Sequence, residues 1–374
     1  MYQSRSIIRT EHPRDRSRWS IRSRYAARVK RWLFSAPIDI AVFGGTAVVA
    51  LALVALSPAL GVGRDTPEWS WITGVLLVDV AHVWSTTFIV YLDPIEWRRR
   101  PALYALTPLA AFAVGVALYA WGPAPFWRAI AYLAVFHFIR QQYGWVMMYR
   151  ARNGERDRIG RWLDGATVYL ATIYPLVWWH AHLPRGFAWM KDGDFVGGLP
   201  RWLAKAVGIV YVAALVIYAG RAIAQLARRQ SVSWGKHLVV VATAACWYVG
   251  IVSTNSDYTF TVTNVFIHGI PYIVLVYIYA RAAAREAPEG ASAKLLGRGI
   301  VAFLATLWVI AYVEELLWDR MLWHDREWLF GSGFDLGGGA LIIAPLLAVP
   351  QLTHYFLDGF LWRRSANPRL GKLL

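Results

Sequence analysis

Ten mostly apolar runs of about 20 residues follow one another along this chain, near 38–60, 70–92, 102–121, 126–149, 163–182, 202–223, 237–254, 259–281, 297–317 and 337–362. Each is about as long as a helix must be to cross a hydrocarbon core about 30 Å thick. Such segments have few options, because lipid supplies no hydrogen-bond partners and a helix satisfies its backbone internally. The expectation is an all-α, polytopic bundle of about ten transmembrane spans. Only 17% of the 374 residues are charged, against about 25% in an ordinary soluble protein. The 21 tryptophans and 19 tyrosines suit a protein with two membrane–water interfaces, where amphipathic rings collect.

Charge then sets the orientation. The formal net charge is +16, but the basic residues sit in short segments between the apolar runs rather than on one domain. They recur in alternate connections: Arg98 to Arg100, Arg150 to Arg161, Arg221 to Lys236, Arg281 to Arg298, and the tail from Arg363 to Lys372. That alternation follows the positive-inside rule and places both termini in the cytoplasm. It explains the charge without a nucleic-acid partner, and none is expected. The domain reading is a basic arm over residues 1–36, a transmembrane helical domain over 37–362 and a basic tail over 363–374. The arm carries Arg5, Arg9, Arg14, Arg16, Arg18, Arg22, Arg24 and Arg28, and it is suited to touch anionic headgroups. The expected location is a bacterial inner, or plasma, membrane. The single cysteine, Cys246, excludes an intrachain disulfide and any multi-cysteine metal site.

Four of the nine histidines fall inside spans, where an unpartnered polar ring costs several kcal/mol. The second span, in VDVAHVWSTT, has Asp79 and His82. The fourth, in VFHFIRQQYGW, has His137, Arg140 and Gln141. The eighth, in TNVFIHGIPY, has Asn264 and His268, and the tenth, in THYFLDGFLW, has His354 and Asp358. Companions three or four residues apart share a helix face. All four histidines lie on even-numbered spans, about 10 to 17 residues from the outer end, which is about 15 to 25 Å down at 1.5 Å per residue. One layer of imidazoles with carboxylate or amide companions is what a metal site requires. The metal ligands are therefore read as His82, His137, His268 and His354 with Asp79 and Asp358. Arg140, Gln141 and Asn264 are the candidate catalytic residues beside them, with Arg140 able to hold a carboxylate or phosphate through its planar fork. Pro271, three residues after His268, and Pro350, one turn before His354, predict breaks in the backbone beside the site.

Imidazole and carboxylate without thiolate suit iron, zinc, copper or manganese. A site bounded by hydrocarbon suits a lipid or other apolar substrate, and reaction at an unactivated chain needs a redox metal, for which nonheme iron is the usual solution. In His82, His137, His268 and His354 the chain resembles the integral-membrane histidine-iron enzymes, namely fatty-acid desaturases and hydroxylases and carotenoid-cleaving oxygenases. The resemblance implies a membrane oxidoreductase that draws on an electron donor. The clustered HxxxH and HxxHH boxes of the desaturases are absent. Haem b, held by paired histidines, is the rival cofactor. A proton-coupled transporter, with Asp79, His82, His354 and Asp358 as relay and Arg140 as anion site, is the rival function. A non-catalytic assembly partner is the third reading. No phosphate-binding loop or nucleophile elbow is present in the sequence.

Overall fold

The computed structural model describes residues 32–363 and 365–373, so the arginines of the arm named above lie outside the described residues. Helix makes up 77% of the structure, with no strand among the described residues. Ten long helical segments are named here α1 (Ala36–Leu56), α2 (Glu68–Ile89), α3 (Pro101–Trp121), α4 (Pro123–Asn153), α5 (Arg158–Ala181), α6 (Arg201–Ala227), α7 (Trp234–Ser253), α8 (Asp257–Ala284), α9 (Ile300–Trp323) and α10 (Gly337–Leu361). Eight of them are long and apolar enough to cross a membrane; α4 and α5 are long but more polar.

Local chemistry sets the ends. Pro101 and Pro123 occupy first-turn positions of α3 and α4, where a missing N–H costs nothing. Gly154 closes α4 in the left-handed conformation at φ 69°, open to glycine because it has no Cβ. Asp157 and Ser256 cap α5 and α8, accepting from Gly160 N at 2.9 Å and Thr259 N at 3.3 Å.

Helix α8 is the centre of the bundle. Of its most apolar stretch 78% of residues are buried, against 11% for α6 at the periphery. It packs against α1, α2 and α7. Close approach, rather than a hydrophobic drive, brings helices together in lipid. Gly269 provides that approach, since a Cβ there would lie 2.6 Å from Val78 Cγ1 and 3.2 Å from Val78 O on α2. The outward faces carry Val48, Leu109, Trp121, Val216 and Val301, all exposed, as a lipid-facing surface would. Together these features describe a membrane protein.

Two helices depart from α geometry near the histidines. The first half of α2, Trp71–Val80, is wound as a π-helix before α geometry resumes at Ala81–Ile89; π winding is rare and frequent at functional sites. Helix α10 is broken at Ala348, just before Val349–Leu361, in agreement with the break expected at Pro350.

At the end of the bundle that carries the basic loops, charged groups are buried in pairs. Arg150 binds Asp164, Glu155 and Asp157; Lys236 Nζ lies 2.5 Å from Glu155 and 2.9 Å from Asp164. The tail is not a free basic extension. Arg369 is buried, with Nη1 2.9 Å from Asp93, and Asn367 donates to Tyr279 Oη at 3.1 Å and Leu361 O at 3.0 Å.

Candidate metal centre

Helices α2, α4, α8 and α10 each bring one histidine to the same place. The imidazoles form a closed ring: His82 to His268, His268 to His137, His137 to His354 and His354 to His82, with neighbouring centroids 4.6, 5.1, 4.7 and 5.0 Å apart. Neighbours meet edge to face, at interplanar angles of 62° to 88°. All four are buried, none more than 4% exposed, so bulk water does not reach their nitrogens.

The hydrogen-bond inventory of the ring is incomplete. His137 Nε2 and His354 Nε2 are buried without a partner, and His82 Nε2 and His268 Nε2 meet only each other, at 3.1 Å. Thus none of the four ε nitrogens bonds to a group outside the set. A buried polar atom left so costs about 1–3 kcal/mol. Ligand nitrogens about 2.1 Å from a common ion and near right angles to one another stand about 3 Å apart, and the 3.1 Å pair has that spacing. One ring nitrogen from each of His82, His137 and His268 lies within 4.8 Å of the others, and His137, His354 and Asp358 meet the same condition.

The carboxylates flank the δ side. Asp79 Oδ1 is 3.6 Å from His82 Nδ1, and Asp358 is 3.9 Å from Nδ1 of both His137 and His354. These separations are longer than a hydrogen bond, and His82 Nδ1, His268 Nδ1 and Asp79 Oδ1 are buried without a partner. Aromatic walls hold two of the rings flat: Phe138 stacks on His268 at 3.4 Å and Tyr355 on His137 at 4.7 Å. Over Phe138 lies Trp189, 5.0 Å away, from the connection between α5 and α6. That connection packs apolar surface against Phe138, the ring that stacks on His268.

The three candidate catalytic residues take other places. Arg140 is exposed, donates to Tyr169 Oη and lies over the Tyr143 ring. Helix spacing puts it within about 60° of His137 on the same face, but its side chain runs outward to Tyr169 on α5 rather than to the ring. Asn264 donates to Phe260 O of its own helix at 2.9 Å, and its Oδ1 is buried without a partner. Gln141 serves the backbone. Pro271 has no N–H for the Ile267 carbonyl, and α4 compensates: Gln142 Nε2 reaches Ile267 O at 3.4 Å and Gln141 Nε2 reaches His268 O at 2.8 Å. Helix α8 therefore continues through Pro271 unbroken, with two amides from a neighbouring helix where a break was expected.

Several residues at the site were not singled out from sequence. Thr86 Oγ1 is 2.8 Å from His354 Nδ1 and 3.2 Å from Tyr272 Oη; Tyr272 donates to Asp358 at 2.5 Å and Trp362 Nε1 donates to the same oxygen at 3.2 Å. A signal existed, since Thr86, Tyr272 and Trp362 each lie one turn beyond a site residue, at i+4 from His82, His268 and Asp358. Glu314 is buried and accepts from Trp84 Nε1 at 2.5 Å and Trp318 Nε1 at 3.3 Å. The histidines left out of the site, His180, His182, His237 and His324, each have a hydrogen-bond partner away from it. In comparisons with known proteins, no family model, curated protein or solved structure matches this chain, and the functional reading rests on the geometry above.

Proposed function

We propose that the histidine ring binds a transition-metal ion, iron by preference, and that the protein is an integral-membrane oxidoreductase acting on a lipid or other apolar substrate. The observation that carries this reading is the set of four buried ε nitrogens that meet no group outside their own ring. A cluster kept only for packing would complete its hydrogen bonds. His82, His137, His268 and His354 are the ligands in this proposal, with Asp79 beside His82 and Asp358 beside His137 and His354 as the nearest carboxylates. Bound iron would supply the redox step that an unactivated hydrocarbon requires, with electrons from an external donor. The protein's own part is to hold four rings in register, to exclude water through Phe138, Tyr355 and Trp189, and to leave the surrounding surface apolar. In the membrane we place ten crossings with the basic loops and both termini in the cytoplasm, in a bacterial inner membrane.

Haem b fits less well. The four imidazoles pack edge to face with neighbouring centroids 4.6 to 5.1 Å apart and His82 Nε2 against His268 Nε2, which leaves no gap between the rings for a porphyrin. Proton-coupled transport draws its support from Asp79, whose Oδ1 is buried and unpartnered, and from Glu315, within electrostatic reach of Asp79 and Glu314.

Metal analysis of the purified wild type beside His137→Ala and His354→Ala decides among these. The expected result is near-stoichiometric iron in the wild type without a Soret band, and strong loss in both variants. Wild-type protein that stays metal-free after incubation with Fe²⁺ and with Zn²⁺ would overturn the metal reading in favour of transport. A Soret band would replace iron alone by haem.

A further inference from the structure

We infer that Asp358, Tyr272 and Thr86 form a one-way hydrogen-bond chain that fixes the tautomer of His354, with its proton on Nδ1 and its lone pair on Nε2. The inference deepens the metal reading and takes its purpose from it, although its geometry stands alone. The chain runs from α10 through α8 and α2 and back to α10: Tyr272 Oη to Asp358 Oδ1 at 2.5 Å, Thr86 Oγ1 to Tyr272 Oη at 3.2 Å, and His354 Nδ1 to Thr86 Oγ1 at 2.8 Å.

Its direction follows from counting protons. A carboxylate only accepts, and an indole N–H only donates. Trp362 Nε1 is shared between Asp358 Oδ1, at 3.2 Å, and Tyr272 Oη, at 3.3 Å, so both oxygens accept from it and the carboxylate is left as the acceptor for the Tyr272 proton. Tyr272 therefore spends its single hydroxyl proton on Asp358, and its oxygen accepts from Thr86. Thr86 has then spent its own proton, so its oxygen accepts from His354 Nδ1, which must be the protonated nitrogen. A neutral imidazole carries one N–H. The lone pair is left on His354 Nε2, the nitrogen that is buried without a partner.

A carboxylate that orients a metal-bound histidine usually does so directly. Here Asp358 lies 3.9 Å from His354 Nδ1, too far for a hydrogen bond, and two hydroxyls span the gap. Thr86 and Tyr272 are in this sense positioning residues. They touch neither a substrate nor the metal in the proposed arrangement.

Nitrogen-15 NMR of metal-free protein with labelled histidine reads the tautomer, and His354→Gln identifies the His354 signals by difference. The wild type should show the Nδ1–H form. Thr86→Val should give a mixture or the opposite form, and Thr86→Ser should keep the wild-type form. Tyr272→Phe repeats the test at the next link, so the result does not hang on the folding of one variant. In parallel, Zn²⁺ affinity should fall about 10- to 100-fold in Thr86→Val, the usual cost of losing such a partner, and recover in Thr86→Ser. Wild-type His354 with its proton on Nε2, or a tautomer unchanged in both Thr86→Val and Tyr272→Phe, overturns the inference. The expected tautomers in a protein that binds no metal would support the chain and overturn the proposed function instead.

Discussion

Arg150, Lys236 and Asp164 are buried as deeply as the four histidines, yet the two clusters are built on opposite principles. In the ionic cluster each cation faces its anions. Arg150 Nη1 is 3.0 Å from Glu155 and also bonded to Asp164, Lys236 reaches Glu155 and Asp164, and Arg221 reaches Asp157 at 2.9 Å and Asp164 at 3.3 Å. Charges out of water are tolerated only in such geometry. In the histidine cluster the ε nitrogens of His82 and His268 meet only each other, and those of His137 and His354 are buried without a partner. The ionic cluster is a closed account of donors and acceptors that ties α4, α5, α6 and α7. The histidine cluster has open valences gathered from four helices, and the proposed metal site rests on that difference.

The ionic cluster should respond most strongly to substitution. Asp164→Ala leaves Arg150 and Lys236 buried with fewer anions and should destabilise the protein by about 3–5 kcal/mol, measurable by thermal unfolding in detergent. Gly269→Val comes next. Its added side chain cannot share space with Val78, and overpacking should cost about 1–3 kcal/mol while parting His82 from His268 and abolishing metal retention. His82→Ala should lower stability by no more than about 2 kcal/mol and still remove the metal; a collapse like that of Asp164→Ala would make the ring structural. Gln142→Leu strips the Ile267 carbonyl of its partner and should cost about 1 kcal/mol. Pro271→Ala in the same chain returns a backbone donor, so the pair should be less than additive in a double-mutant cycle. Arg140→Ala should change stability by no more than about 0.5 kcal/mol and leave metal content alone.

Much of the site was legible because helix periodicity is a local property. Asp79 with His82 and His354 with Asp358 share helix faces by spacing alone, and each pair does so in the structure. The same spacing misleads where a face is shared but the partner lies elsewhere. Asn264 is four residues from His268 and turns to its own Phe260 carbonyl; Gln141 is four from His137 and reaches across to the His268 carbonyl. Neither partner could be read from their own helix. Pro271 marked the backbone gap, but the groups that fill it come from α4, more than a hundred residues earlier. The chain Thr86–Tyr272–Asp358 joins three helices and leaves no trace in any one of them beyond its turn-by-turn register.

The sequence by itself determined that this chain is helical, that its apolar runs are long enough for a bilayer, and that four imidazoles are placed within those runs. Those follow from hydrophobicity and the 3.6-residue turn, which act along a single segment. Only the tertiary structure decided that the four rings meet, that Arg140 leaves them, and which nitrogen of each stays unpaired. These depend on how α2, α4, α8 and α10 pack, and packing is settled by contacts such as Gly269 on Val78 between residues far apart in the chain.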